Sequence, residues 1–327
     1  MTAISIESEP VREIMDKHDK IVVLGAAGLV GQNLIVELKA QGYDNLVAID
    51  KHEYNLGMLA KLHPDVVTVL ADLAEPGAWR EHLRGAVRVM QLQAQITGKD
   101  PQLFVRNNIE STKLVLDAIH EFAVPFLVHI SSSVVNSVAD DDYTNTKKEQ
   151  ERLVVDSGVP CCVLRPTLMF GWFDPKHLGW LSRFMEKVPV FPIPGHGRYM
   201  RQPLYNRDFC KIIVRCMEKM PTGAVYDIVG DQRIDYVDII HTIKRVKGLK
   251  TPIVHIPYTL FYWLLKGYSL FSAKPPFTAD QLKALTAGDD FTGVDTEREF
   301  DVRQTPFEAA IRESYCDPRY AGIVLQR

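Results

Sequence analysis

Ile21-Val22-Val23-Leu24-Gly25-Ala26-Ala27-Gly28-Leu29-Val30-Gly31 is the stretch whose reading decides the fold. Its first four residues form an unbroken apolar run, the pattern of a strand buried on both faces of a parallel sheet. The residues that follow, Gln32 to Leu38, carry apolar side chains at helical spacing. Between strand and helix the glycines fall as GxxGxxG. Gly25 permits a tight turn, Gly28 lets a pyrophosphate approach the backbone, and Gly31 lets the helix pack close to the strand. The helix start at Leu29 and Val30 offers free N–H groups and the positive end of a dipole. A glycine pattern alone is weak, but in the first strand-to-helix turn of a sheet it points to a dinucleotide.

Reading outward, further strands are expected at Leu46–Asp50, Val66–Leu70, Val87–Leu92, Phe126–Ile130 and Cys161–Leu164. Helices are expected at Val11–Lys17, Gln102–Phe122 and Tyr143–Val155. This alternation predicts an α/β protein with a doubly wound parallel sheet. After Arg165 the pattern changes. Pro and Gly become frequent from Pro166 to Gly197, and helices at Ile234–Val246, Tyr258–Ser272 and Thr278–Ala287 arrive without regular strands between them. The expected division is a nucleotide-binding domain over residues 1–165 and a smaller substrate lobe over 166–327, partly interleaved.

Composition sets the outer limits. The chain has 327 residues, 46% hydrophobic and 24% charged, enough to bury a core without disulfide staples. A net charge of −3 provides no basic field for a phosphate backbone, so nucleic acid is not an expected partner. Five irregularly spaced cysteines suit reduced thiols in the cytoplasm, with Cys161 and Cys162 as small core residues. Met1 to Lys20 lacks the apolar core of a secretory signal. Tyr258 to Ala273 is interrupted by Lys266 and Gly267 and falls short of the ~20 apolar residues of a span, so a buried or interfacial helix is expected there. His177 and His196 have no metal-ligand spacing, and no metal is expected.

Asp50 ends the second strand, 22 residues beyond Gly28. A carboxylate there accepts from ribose hydroxyls and repels a 2′-phosphate, which favours NAD over NADP, although Lys51 and His52 follow directly. The fifth strand runs into Ser131-Ser132-Ser133. Further on, Tyr143 and Lys147 form a YxxxK pair on one helix face, after an Asp140-Asp141-Asp142 run suited to capping that helix. A free phenol titrates near ~10, and a neighbouring ammonium would bring it towards the working range of a base. A serine hydroxyl can meanwhile hold the substrate oxygen.

With these residues in view, the chain resembles the extended branch of the short-chain dehydrogenase/reductase superfamily, the NAD-dependent epimerase/dehydratase group. The carriers are the glycine turn, Asp50, Asp72 and Leu73 in Ala71-Asp72-Leu73, Asn108-Ile109-Glu110-Ser111-Thr112, Ser131-Ser132, Tyr143 with Lys147, and Leu164-Arg165-Pro166. The resemblance implies a Rossmann-type sheet, Asp72 at the adenine, Lys147 at the nicotinamide ribose, and Leu73, Asn108 and Tyr143 among the cofactor contacts. It also implies Ser132, Tyr143 and Lys147 as the catalytic set. A homodimer is common in the group.

The residues after Ser132 are Ser133-Val134-Val135, where dehydratases of this group carry Asp-Glu, so elimination chemistry is disfavoured. Arg201, within Gly195 to Asp208, stands where sugar-nucleotide enzymes hold a diphosphate, and its guanidinium is a suitable fork. Ser133 and Arg201 are therefore the expected substrate contacts. Leu164-Arg165-Pro166-Thr167 lacks the asparagine of many UDP-sugar members and is closer to hydroxysteroid-type members. Phe170, Trp172, Phe173 and Trp180 could stack on a substrate or close the core between the lobes. The leading expectation is an NAD-dependent nucleotide-sugar epimerase or related sugar oxidoreductase. The alternatives are a hydroxysteroid-type ketone/alcohol oxidoreductase and a non-catalytic NAD-binding scaffold.

Overall fold

Ile21–Leu24 (β1) lies wholly buried in the interior of a seven-stranded sheet. The computed structural model describes residues 15–271, 282, 285–286, 288 and 290–326. The expected helix at Val11–Lys17 and most of that at Thr278–Ala287 lie outside them. The other sheet strands are Leu46–Asp50 (β2), Val67–Leu70 (β3), Arg88–Gln91 (β4), Leu127–Ile130 (β5), Cys161–Pro166 (β6) and Val225–Ile228. All pairings are parallel, in the order β3-β2-β1-β4-β5-β6 with Val225–Ile228 outermost. The last strand comes from beyond residue 165, so the chain returns to the sheet after leaving it.

Continuous apolar strands are explained by helices on both faces. Val23, Ala48, Met90, Val128 and Cys162 point to one side, where Leu29–Ala40 (α1) and Asn206–Lys219 (α7) cover them. Val22, Val47, Val89, Leu127 and Cys161 point to the other, against Val115 and Ile119 of Ser111–Glu121 (α4). Between α1 and α4 come Glu53–Leu62 (α2) and Pro101–Phe104 (α3). Asp142–Asp156 (α5) starts at Asp141, whose carboxylate accepts from the Thr144 amide at 2.9 Å and the Thr144 hydroxyl at 2.8 Å.

The helix expected over Gln102–Phe122 is interrupted. Val105–Glu110 is a π-helical turn between α3 and α4, which brings Asn107 and Asn108 inward together.

The second half holds short strand pairs that its Pro/Gly content concealed. Phe191–Pro194 pairs in parallel with Ile253–Ile256, and Met200–Arg201 pairs antiparallel with Ile234–Asp235. His177–Lys187 (α6) and Tyr236–Val246 pack with them around Phe170, Tyr205, Ile240 and Phe307. Phe170 stacks on Tyr205 with ring centroids 5.4 Å apart, and buried Trp172 meets Tyr320 at 4.6 Å. Phe170 thus packs within the second half of the chain, while Trp172 and Phe173 pack against Leu29, Val36, Met58 and Leu62 of the first.

Candidate active site

Strand order reverses between β1 and β4, which sends the following loops apart and opens a crevice at the strand C-termini. A cleft of about 530 Å³ lies there. Gly25, Gly28, Leu29, Val30, Gly31, Asp50, Asp72, Leu73, Ser132, Ser133 and Tyr143 all line it.

The glycine turn is shaped by two close approaches. Gly25 has φ +80°, and a Cβ there would stand 2.6 Å from the Gln93 amide nitrogen. A Cβ on Gly31 would come within 2.5 Å of the Ala26 backbone. Gly28 caps α1 and adds no crowding, since a Cβ would meet only Gly25 O at 3.4 Å. No side chain caps this helix, so the first-turn amides of Leu29, Val30 and Gly31 are left to a ligand.

Asp50 has a second task beyond the expected one. Its carboxylate accepts from the amides of Ala27 and His52, each at 2.9 Å, which ties the end of β2 to the glycine turn. A carboxylate has about four acceptor positions, so capacity for ribose hydroxyls remains. Lys51 does not offset this acid. Its ammonium donates to Asn107 Oδ1 at 2.6 Å and lies 3.4 Å from Asp72. Burial works against the Asp72 charge, but the Ala74 amide, Arg106 and Lys51 hold its carboxyl below the ordinary range.

Asn108 differs from expectation. It does not line the cleft but lies buried beside it, accepting from the Gln95 amide at 2.6 Å and donating to Thr146 Oγ1 at 3.0 Å. The π turn points its side chain at the loop after β4, where it pins that loop to α5. Asn107 and Ser111 line the cleft instead.

At the far end, Tyr143 and Ser132 line the cleft together, and the Ser132 hydroxyl is close enough to favour the phenolate. Lys147 lies one turn along α5, fully buried. Its Nζ donates to Ile130 O at 3.1 Å and to Gln150 Oε1 at 2.5 Å. The ammonium expected beside the phenol is instead turned to Ile130 O and Gln150. Burial pushes Lys147 down to about 7, and burial also raises the Tyr143 phenol, opposed by the Ser132 hydroxyl. Beneath the pair lies a buried polar chain. Gln150 and Gln91 both donate to Thr112 Oγ1, at 3.0 and 2.8 Å, and Gln91 Oε1 meets His129 Nδ1 at 2.9 Å. Since Gln91 spends its amide donor on Thr112, His129 carries its proton on Nδ1. Burial and Lys147 keep that imidazole neutral.

Several cleft residues escape sequence reasoning. Gln93 and Ser131 line the cleft with buried polar atoms that have no protein partner, which suits a polar ligand at the junction of its two halves. Leu92, Ile96, Val134, Leu168, Met169 and Phe291 form an apolar wall, and His177 sits at the start of α6 with φ +41°. The VMQLQAQ segment at residues 89–95, with its repeated glutamines after a strand, was the one available signal.

Arg201 is not part of the cleft lining. Its guanidinium donates to Leu285 O at 2.5 Å, because strand pairing with Ile234–Asp235 fixes it on another side. The neighbouring Gln202 serves the site indirectly. It accepts from the Phe291 amide at 2.8 Å and donates to Phe291 O at 3.2 Å, holding that residue at the wall.

A parallel sheet with this turn, acid and crevice defines a Rossmann-type dinucleotide-binding protein. The pattern of the NAD dependent epimerase/dehydratase family matches residues 21–229, and the chain belongs to that family. The glycine cradle, the free amides and Asp50 fit the family's cofactor, NAD. Sterol-4-alpha-carboxylate 3-dehydrogenase, decarboxylating, of Mus musculus is 24% identical over 76% of this chain and 75% of its own length. A dTDP-glucose 4,6-dehydratase of Xanthomonas campestris is 23% identical over 68% of this chain and 74% of its own. Among solved structures, the Bordetella bronchiseptica enzyme WbmF in complex with NAD+ matches with a TM-score of 0.72 and 16% identity, covering 91% of each chain. UDP-glucuronic acid 4-epimerase from Bacillus cereus matches with a TM-score of 0.68 and 20% identity, over 91% of this chain and 97% of that one. Both structural likenesses speak to the fold. Among the described residues no helix is long and apolar enough to cross a membrane.

Proposed function

We propose that the chain is an NAD-dependent oxidoreductase that interconverts a secondary alcohol and its ketone on an apolar substrate. The observation that carries this reading is that Leu92, Ile96, Val134, Leu168, Met169 and Phe291 line the same cleft as Ser132 and Tyr143, with Arg201 absent from the lining. A sugar diphosphate bears two or more negative charges and needs cations or amides beside it. Apolar rings need the surface found here. The sequence likeness to sterol dehydrogenases supports the same reading.

The amides of Leu29 to Gly31, Asp50 and the Asp72 end of the cleft would hold NAD, which would supply the hydride acceptor. Ser132 donates a hydrogen bond to the substrate oxygen. Tyr143 removes the hydroxyl proton as the carbonyl forms, and returns one in the reverse direction. Lys147, fixed by Ile130 O and Gln150, lies below the phenol, where the resemblance expects it to meet the cofactor ribose. Because the phenol is raised above its usual value near ~10, alcohol oxidation gains rate as pH rises, while ketone reduction favours lower pH.

The test is turnover by purified protein on alicyclic secondary alcohols, hydroxysteroids included, beside a panel of UDP-, GDP- and dTDP-sugars. Nicotinamide released by denaturation is measured alongside. Alcohol-dependent NADH formation, lost about a thousandfold in Tyr143→Phe with NADH binding retained, is the expected result. Turnover that survives Tyr143→Phe would remove the proton-transfer assignment. Sugar-nucleotide turnover with stoichiometric retained NAD would instead restore the epimerase reading. Cofactor binding without any turnover would favour the scaffold.

A further inference from the structure

The helix Tyr258–Phe271 presents an apolar stripe to solvent. Leu260 is 52% exposed, Trp263 70% and Leu264 54%, at i, i+3 and i+4 along one face. Val254, 45% exposed on the strand Ile253–Ile256 that leads into this helix, stands on the same excursion of chain. Single exposed apolar residues are ordinary; three on one helical face, including a tryptophan, mark an interaction surface.

The charge pattern around the stripe says what covers it. Residues 239–279 contain no Asp or Glu, yet include Lys244, Arg245, Lys247, Lys250, Lys266 and Lys274. The whole chain has 41 carboxylates in 327 residues, so 41 residues would ordinarily carry about five. Arg245 and Lys247 are paired with Glu308 and Glu186 from other elements, and Lys250 is exposed on the segment before Ile253–Ile256. On the flank of the stripe, Tyr258 and Tyr262 stack with ring centroids 6.5 Å apart, and Lys266 Nζ lies 5.9 Å from the Tyr262 ring. Amphipathic aromatics beside a lysine, bordering an apolar face, are the side chains that settle at the boundary between acyl chains and headgroups.

We propose that this helix docks the protein on an anionic membrane surface, lying flat with Leu260, Trp263 and Leu264 in the acyl boundary and the lysines on headgroup phosphates. Fourteen residues reach about 21 Å, short of the ~30 Å hydrocarbon core, so the helix rests in the interface plane. A second copy of the chain is a poorer occupant. A two-fold contact would set the acid-free segment against itself and bring Lys250 and Lys266 towards their own copies.

The test is co-sedimentation of the full chain with phosphatidylcholine vesicles, plain or carrying about one-third phosphatidylglycerol. Binding should appear on the anionic vesicles, weaken about tenfold or more on plain ones, and fall in about 0.5 M salt. The double variant Trp263→Ser, Leu264→Ser should lose about tenfold or more in vesicle affinity with its Tm and NADH affinity unchanged. Lys250→Glu with Lys266→Glu should abolish the preference for anionic lipid. Failure of the wild type to sediment, or equal binding by the serine variant, overturns the proposal. So does a dimer in analytical ultracentrifugation that the serine substitutions dissociate, with no vesicle binding. None of these readouts depends on the substrate.

Discussion

The two halves of the cleft are built by opposite means. The cofactor half comes from one contiguous turn, Gly25 to Gly31, braced by a single acid at the end of the next strand. Its binding groups are mainly backbone amides, so glycine at fixed spacing is the whole requirement. The other half is assembled from residues 92–96, 131–134, 166–169, 177 and 291, which meet only in the folded chain. There the backbone is spent on strand ends and the side chains form the surface.

Substitutions that strike each half separately can break this contrast. The largest effect is expected at Gly25→Ala, where a Cβ meets Gln93 N at 2.6 Å and the backbone has φ +80°. NADH affinity measured by fluorescence should fall about a hundredfold, with Tm lowered by several degrees. Unchanged affinity would mean that the turn does not hold the cofactor. Phe291→Ala should raise KM for the alcohol about tenfold while NADH affinity stays within about twofold; a matching loss of NADH affinity would erase the distinction between the halves.

Lys147→Met probes the floor that both halves share. The lysine is held at about 7 in the folded chain against an ordinary value of 10.5. Between those pH values the unfolded chain binds the extra proton, so wild-type stability should rise as pH climbs from about 7 towards about 10. The methionine variant should lack that rise, by several degrees of Tm across the range. Parallel Tm-versus-pH curves for the two proteins would show that the buried amine is not neutral. The smallest effect belongs to Arg201→Ala. With its guanidinium on Leu285 O, turnover and KM for the alcohol should stay within about twofold. A large rise in KM for a nucleotide sugar in that variant would bring the diphosphate site back.

Much of the sheet was legible because its signal is local. Ile21–Leu24, Leu46–Asp50 and Leu127–Ile130 are short apolar runs between turn residues, and each became a strand within a residue of its expected bounds. Tyr143 and Lys147 were legible for the same reason, since i and i+4 face alike on any helix. Their charges were not. Whether an ammonium stands beside the phenol depends on how deeply Lys147 is buried and on Gln150 and Ile130 O taking its protons. Asn108 missed the cleft because a π turn rotated it, and no propensity foretold that turn.

Arg201 shows the boundary most clearly. A guanidinium in a suitable motif suggested a diphosphate site, but register with Ile234–Asp235 set its direction, and its neighbour Gln202 took up service to the wall through Phe291. The sequence by itself determined the nucleotide-binding sheet, the glycine turn, the acid and the tyrosine–lysine pair, since each is written in spacings a few residues long. Only the tertiary structure decided the burial of the lysine, the apolar lining of the cleft and the exposed face of the helix at Tyr258–Phe271. Burial and direction are properties of what the rest of the chain packs against, and distant segments set them only on meeting.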